Sequence, residues 1–445
     1  MGSGGPAGRP SSLGGGHRTP RLPQRRNRCA RQGIRVELVR RGQCAGASAR
    51  RRVTNEVFLM RVLDITSAFS NSCGGIKRYY REKAKALPRL GVECHFAVPG
   101  EERSSEAFGE GTLHRLPGPP MPGNGAYRLF GLRAGIGELI QRLQPDVIEV
   151  ASHYALPDIV LRAARRAQKP PRVVGYFHSH PRQVVENITH GHSSRSGGDA
   201  LAELVWSFFR RQHRRYDATL VASPTLGREL SERGFPRVRE VGLGVDVEVF
   251  SPAGPTPRGA PPTICYSGRF TVDKELPVLL AAFDRVHAAT GARLLLVGDG
   301  PMRPELEAFA LGRPAVTVGP YLDSPAGVAG VLASSDVVVV SSRSETFSLS
   351  TAEAIACGAL VVGPTEGAVA DLIRYTGAGR CFRAGDADSL GDALIAALSA
   401  DASARSAQGA EGRARMVERY TWSAVMERLV DAYRDALAAP VLQGR

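Results

Sequence analysis

From Met60 onward the chain alternates short β-rich runs with longer helical stretches, and no other feature limits its possible folds as strongly. The runs are Val62–Ile65, Val92–Val98, Val147–Val150, Val173–Phe177 and Ala218–Ala222, then Ile264–Tyr266, Leu294–Val297, Val316–Val318, Val337–Val340 and Leu360–Val362. They are rich in Val and Ile, and nearly continuous rather than alternating with polar residues. Strands of that kind are buried on both faces, as in a parallel sheet covered by helices on each side. Helices over Ile76–Leu90, Pro277–Thr290 and Ser350–Cys357 fill intervening stretches. The alternation predicts βαβ units and an α/β fold of doubly wound sheets.

One stretch breaks the rhythm. Residues 251–262, "SPAGPTPRGAPP", are rich in Pro and Gly and have no hydrophobic period, the composition of a linker. The expected organisation is a Rossmann-like domain over 60–245, a linker over 246–261, a second Rossmann-like domain over 262–420 and a terminal segment over 421–445. Two such domains facing one another place a ligand cleft between the carboxyl ends of their strands.

A net charge of +15 would suggest nucleic acid or an acidic membrane as partner, but the charge is uneven. Residues 1–59 hold 13 Arg and no Lys against Glu37 and Glu56, so +11 lies there and +4 over the rest. This Gly-, Pro-, Ser- and Arg-rich segment cannot bury enough apolar surface to offset the entropy of ordering. It is expected to be a disordered, dispensable extension, with Met60 a candidate for the true start. It lacks the apolar region of a secretory signal. Its arginines are not interleaved with aromatic stacking platforms, so no nucleic-acid partner is expected.

Seven cysteines without a C-x-x-C argue for a reducing compartment and against disulfides or zinc. No run of ~20 apolar residues is present to span a bilayer. The expected location is cytoplasmic. The segment Trp206–Arg215 mixes aromatic side chains with arginines, so it reads as a helix with an apolar core stripe and a basic face, or as a peripheral membrane contact on the inner leaflet.

Several motifs sit where strands end. In "SGRFTVDKE" (267–275), Arg269 and Lys274 flank a short loop before a helix, an arrangement suited to a pyrophosphate. "LLLVGDGP" (294–301) carries G-x-G but lacks the third glycine of the dinucleotide fingerprint, which disfavours a nicotinamide enzyme. Gly74 and Gly75 in "SNSCGGIKRYY" can bring backbone N–H groups close to a ligand. "GYFHSHP" places His178 and His180 just past a strand, and His153 follows another. His190 and His192 complete an H-x-H…H-x-H array, but no rigid frame or cysteine supports a metal site, and none is expected.

"SETFSLSTAEAIACG" (344–358) contains two glutamates, Glu345 and Glu353. Eight helical steps would separate them by ~12 Å with an ~80° offset. Paired glycosidase carboxyls stand ~5–5.5 Å apart, so the spacing opposes a proton-sharing couple. It suits two contacts to one extended ligand, Glu345 touching one part and Glu353 another, with helix-start amides near Ser348 holding phosphates between them; a carboxylate that accepts two vicinal hydroxyls is one way to hold a ribose.

These residues resemble the E-x7-E motif of retaining glycosyltransferases with the GT-B fold, family 4. The resemblance covers about 60–440 and is carried by "CGGIKRYY", "GYFHSHP", "GLGVDVEVFSP", "SGRFTVDKEL", "LLLVGDGPMRPEL", "SRSETFSLSTAEAIACGALVV" and "GRCFRAGDADSL". It implies that Arg269 and Lys274 neutralise the donor diphosphate, that Glu345 binds the transferred sugar and that Glu353 binds ribose. It also implies phosphate contacts from amides around Phe347, Ser348 and Leu349, approach of Gly74 and Gly75 to the substrates, and His178 beside the donor sugar. The final helix would brace the N-terminal domain. The family is metal-independent and needs no cofactor beyond the nucleotide sugar. GDP-mannose is the favoured donor and a lipid or glycan the acceptor; a UDP-glucose-type α-glucosyltransferase or a nucleotide-sugar 2-epimerase is the alternative. Two departures stand out: Ser348 where the family has Gly, and "EGAVAD" for G-G-x-P-E, with Asp371 in the acidic place.

Overall fold

The computed structural model describes residues 60–69, 74–121, 124–131, 135–181, 184–185, 195–252, 261–343 and 345–440. Sixteen strands are found among them. The first half holds β1 (Met60–Ile65), β2 (Val92–Gly100), β3 (Ser104–Phe108), β4 (Gly111–Pro117), β5 (Pro120–Met121), β6 (Asn124–Arg128), β7 (Val147–Val150), β8 (Arg172–Phe177), β9 (Ala218–Val221) and β10 (Val238–Glu240). The second half holds β11 (Thr263–Ser267), β12 (Arg293–Val297), β13 (Val316–Gly319), β14 (Val337–Val339), β15 (Leu360–Pro364) and β16 (Gly379–Phe382).

The first sheet has the order β10-β9-β8-β7-β1-β2-β4-β3 and is parallel except for β3, which runs antiparallel to β4. β5 and β6 form a separate antiparallel pair. The second sheet, β13-β12-β11-β14-β15-β16, is parallel throughout. Numbered from β11, that is the 3-2-1-4-5-6 order of a Rossmann sheet. The Val-rich runs are buried on both faces, as a helix-covered parallel sheet requires.

Strands absent from the sequence reading are β3, β4, β5, β6, β10 and β16. Ser104–Phe108 is mostly exposed, and β10 and β16 are sheet edges, so none carries the continuous apolar run that marks a buried strand.

Two runs conceal charge. Asp64 in β1 and Glu149 in β7 are fully buried, and so is Lys83 on helix Gly74–Ala86. Lys83 Nζ lies 2.6 Å from Asp64 Oδ2 and 3.1 Å from Glu149 Oε1. It also donates to the hydroxyl of Tyr433 at 2.9 Å, and Tyr433 donates to Glu149 Oε2 at 2.6 Å. Tyr80 donates to Asp64 Oδ1 at 2.5 Å. Tyr433 belongs to helix Trp422–Ala438, so the end of the chain is tied into the first half. Arg172 adds hydrogen bonds to the carbonyls of Leu437 and Ala439, and the Val245 amide donates to Tyr420 O at 2.8 Å. Burial pushes the Asp64 carboxyl up to about 7, against the pull of Lys83.

Candidate active site

Each sheet reverses winding beside its first strand: β11 lies between β12 and β14, and β1 between β2 and β7. Crevices form at such switch points, outside the carboxyl ends of the strands. In the second half, the loops after β11 and β14 converge there. Ser341 Oγ donates to Lys274 O at 2.6 Å, and the Arg343 guanidinium forks onto Glu275 at 2.7 and 3.0 Å. Lys274 Nζ meets Glu345 Oε1 at 2.6 Å. Burial opposes the Lys274 charge, but Glu345 and Asp273 raise its pKa on balance. The Arg269 side chain, by contrast, is 63% exposed, and its one ion pair among the described residues is with Asp273, at 3.8 Å. Lys274 is locked in place, whereas Arg269 is free to reorient.

The G-x-G after β12 has a packing role. Gly298 has φ +152°, and a Cβ there would fall 1.8 Å from Gly268 O. Glycine therefore lets the two strand exits pack together.

Glu345 and Glu353 share no hydrogen bond; each has a cation of its own. Glu353 Oε1 accepts from Arg78 Nη1 at 2.7 Å, across the cleft from helix Gly74–Ala86. Burial raises the Glu353 carboxyl to about 7 even though Arg78 pulls it down. Helix Leu349–Ala356 begins where expected, with Ser348 as its N-cap. Ser348 has φ +70°, which explains why the family places Gly there. Its Oγ is 2.8 Å from Thr351 Oγ1. Leu349 approaches the first half: a Cβ on Gly75 would lie 3.7 Å from Leu349 Cδ1. Gly74 and Gly75 form the first turn of their helix rather than a preceding loop, so two helix N-termini face each other. Phe347 offers only its backbone, because its ring is buried against Tyr420 at 5.6 Å.

His178 follows β8 and stacks on Tyr176 at 4.0 Å, with Tyr79 edge-on at 5.8 Å. Thr346 Oγ1 donates to its carbonyl at 3.2 Å, linking the halves. Burial lowers the His178 pKa to about 4, so its ring is neutral at pH 7. Its Nε2 is buried without a hydrogen bond among the described residues, as are Ser223 Oγ and Ser342 Oγ. All three lie in loops at strand exits, where a ligand would satisfy them. A cavity of about 530 Å³ opens beside Ser223 and Glu345, lined also by His180 and Arg228 from the first half and Glu366 and Arg374 from the second.

Trp206 is buried, stacked on Phe177 and covered by Arg233, and so cannot meet a membrane; Leu204 and Phe208 are the exposed apolar groups of that helix, at 68% and 42%. Asp371, in the acidic place of the departed motif, accepts from Thr225 across the cleft. His190 and His192 lie outside the described residues, among which no metal-ligand cluster occurs. Sequence reasoning missed Arg78, which lies within "CGGIKRYY" but beside Lys77 and Arg81, with nothing to distinguish it from them, and it missed the pairing of His180 with Glu229 at 3.3 Å.

Residues 73–249 match the family described as Glycosyltransferase Family 4, and residues 261–400 match Glycosyl transferases group 1. A GDP-mannose-dependent alpha-mannosyltransferase of Mycobacterium tuberculosis is 30% identical over 71% of this chain and 81% of that protein. The chain belongs to family 4 of the GT-B glycosyltransferases. A family relative from Arabidopsis thaliana, a sulfoquinovosyl transferase, is 28% identical over 82% of this chain and 69% of that protein. Among solved structures, the sucrose-phosphate synthase of Thermosynechococcus elongatus superposes with a TM-score of 0.67 at 20% identity, over 86% of this chain and 100% of its own. The Anabaena protein HepE in complex with UDP-glucose gives 0.61 at 15% identity, over 84% and 100%. The fold is GT-B and the enzyme is a glycosyltransferase.

Proposed function

We propose that the protein is a retaining α-glycosyltransferase that moves a hexose, mannose in the first instance, from a nucleotide sugar to a lipid or glycan acceptor. The observation that carries this reading is the Lys274–Glu345 contact at the second sheet's switch point. A fixed cation suited to phosphate stands there against a carboxylate suited to sugar hydroxyls. In this reading residues 262–420 form the donor domain and 60–245 the acceptor domain, joined by 246–261 and braced by 421–445.

Glu345 binds the sugar, Glu353 the ribose, and the diphosphate lies between them at the N-terminus of helix Leu349–Ala356. Lys274, Arg269 and the amides of Phe347 to Leu349 stabilise the charge that develops on the leaving diphosphate, work that needs no metal. Gly75 and Gly74 bring the opposing helix N-terminus close to the same charge. Neutral His178 presents Nε2 to a sugar hydroxyl. Attack comes from the face the leaving group departs, through an oxocarbenium-like state, and the anomeric configuration is kept. Leu204 and Phe208, beside exposed Arg211, supply the surface for peripheral contact with an anionic membrane.

The test is direct. Thermal shift with GDP, UDP and ADP identifies the nucleotide, and NMR of the product with its nucleotide hexose identifies the anomer. GDP stabilisation and an α-linked product are expected. Preference for UDP moves the donor to the glucose class. A 2-epimer forming without acceptor would overturn transfer altogether.

A further inference from the structure

The cation that meets Glu353 comes from the opposite half of the molecule, from within "CGGIKRYY" but at a position to which the resemblance assigns no role. Arg78 lies one turn into helix Gly74–Ala86, and its guanidinium donates to Glu353 Oε1 at 2.7 Å. The side chains are 22% and 14% exposed. The guanidinium also lies over the Phe250 ring, 5.1 Å from its centroid. Phe250 is itself buried. Arg78 is thus held by a π face and a carboxylate together. Only Oε1 of Glu353 is occupied; Oε2 makes no hydrogen bond among the described residues.

We propose that Arg78 is a positioning residue for the donor: by holding Oε1 of Glu353 from across the cleft, it aims Oε2 at the ribose and makes nucleotide binding depend on closure of the two halves. This rests on the ribose reading of Glu353. A carboxylate accepts two vicinal hydroxyls well only when ionised and fixed. Arg78 does both. The other elements packed against Glu353 supply no substitute. Arg413, on helix Ala402–Tyr420, donates to the carbonyls of Val247, Phe250 and Ala356. On helix Gly367–Thr376, Arg374 donates to Thr365 O and Asp371 accepts from Thr225. Helix Pro325–Ser334 carries no charged residue. With Arg78 present, the Glu353 carboxyl still titrates near 7 because it is buried. Without it, burial acts unopposed and the carboxyl holds its proton to higher pH.

The experiment measures the affinity of GDP and UDP for the full chain between pH 6 and 9, in wild type, Arg78→Met, Arg78→Lys and Glu353→Ala. In wild type, affinity for the better nucleotide rises with pH through about 7. In Arg78→Met the rise moves upward by about one pH unit or more, with roughly tenfold weaker binding at pH 7. Donor KM follows that loss, and kcat at saturating donor and pH 9 stays near wild type. Arg78→Lys restores part of both. An Arg78→Met protein that melts lower yet keeps the wild-type pH profile would overturn the proposal and leave Arg78 a structural strap. If Glu353→Ala also binds nucleotide normally, the ribose reading itself fails, which is a separate outcome.

Discussion

Asp371 receives two hydrogen bonds from Thr225, one from its amide and one from its hydroxyl, each 2.7 Å long. Thr225 lies in the first turn of helix Pro224–Glu232, whose own N-cap, Ser223, makes no side-chain cap bond. A carboxylate from the second half therefore caps a helix of the first, at the end where the dipole favours negative charge. Arg228 stands 3.7 Å from the same carboxylate. Asp371→Ala should weaken the closed arrangement by about 1.5–3 kcal/mol, the range for hydrogen bonds to a charged group. Small-angle scattering should show a more open mean shape and kcat/KM should fall, while Asp371→Asn loses less. Unchanged scattering and activity would contradict the capping role.

The Lys274–Glu345 contact separates donor-end from sugar-end effects. Lys274→Met should lower kcat by about 10²–10³-fold, as removal of one preorganised donor does elsewhere. It should also weaken nucleotide binding. Glu345→Ala should abolish transfer yet leave nucleotide affinity near wild type, whereas Glu353→Ala should lose affinity first. Calorimetric titration with GDP and UDP distinguishes the three.

His178 should act as a neutral group throughout the physiological range, since burial holds its pKa at about 4. His178→Ala should reduce kcat and spare nucleotide affinity. Any limb of the pH–rate profile near 7 should persist in this variant. Its disappearance would mean that His178 titrates there.

Ser348 bears a left-handed backbone and a buried hydroxyl bond together. Such strain costs a non-glycine residue of order 1–3 kcal/mol. Ser348→Gly trades the lost bond for relief of that strain, so its melting temperature should match or exceed wild type. Ser348→Ala keeps the strain and loses the bond, and should be less stable by about 1 kcal/mol. Denaturant unfolding of both variants checks the ordering.

The buried Asp64–Lys83–Glu149 cluster makes stability depend on pH. Folded Asp64 keeps its proton until about pH 7, whereas the unfolded chain releases it near 3.8. A carboxyl raised on folding contributes stability below its unfolded pKa and loses that contribution as pH rises through the folded one. Stability should therefore decline between about pH 4 and 7 on this account, and Asp64→Asn should flatten the decline. Lys83→Met strands buried carboxylates and should cost about 3–5 kcal/mol at pH 8. Melting curves from pH 5 to 9 report both.

Much of the site was legible from spacing alone. The eight-residue gap between Glu345 and Glu353 ruled out a shared proton, and the structure gives each glutamate a separate cation. The position of Ser348 was legible as unusual, and its φ of +70° supplies the reason. Composition left open which side of the Trp206 helix is covered; Phe177 and Phe235 bury Trp206, as the core-stripe reading has it, while Leu204 and Phe208 stay outside. Asp64 and Glu149 were hidden because one charged residue scarcely interrupts a Val- and Ile-rich run.

Local chemistry was enough to specify the two wound sheets, the exit loops that carry Lys274 and Glu345, and the helix that starts at Leu349, because periodicity and turn residues act over a few neighbours. Which residue answers Glu353 was settled only by folding. Arg78 is 275 positions away, and nothing near either residue encodes the other. The same holds for Asp371 with Thr225 and for Tyr433 with Lys83 and Glu149. These contacts exist because helices and strand-exit loops of two separately wound sheets pack against one another, and desolvation where they meet makes a single matched pair strong enough to matter.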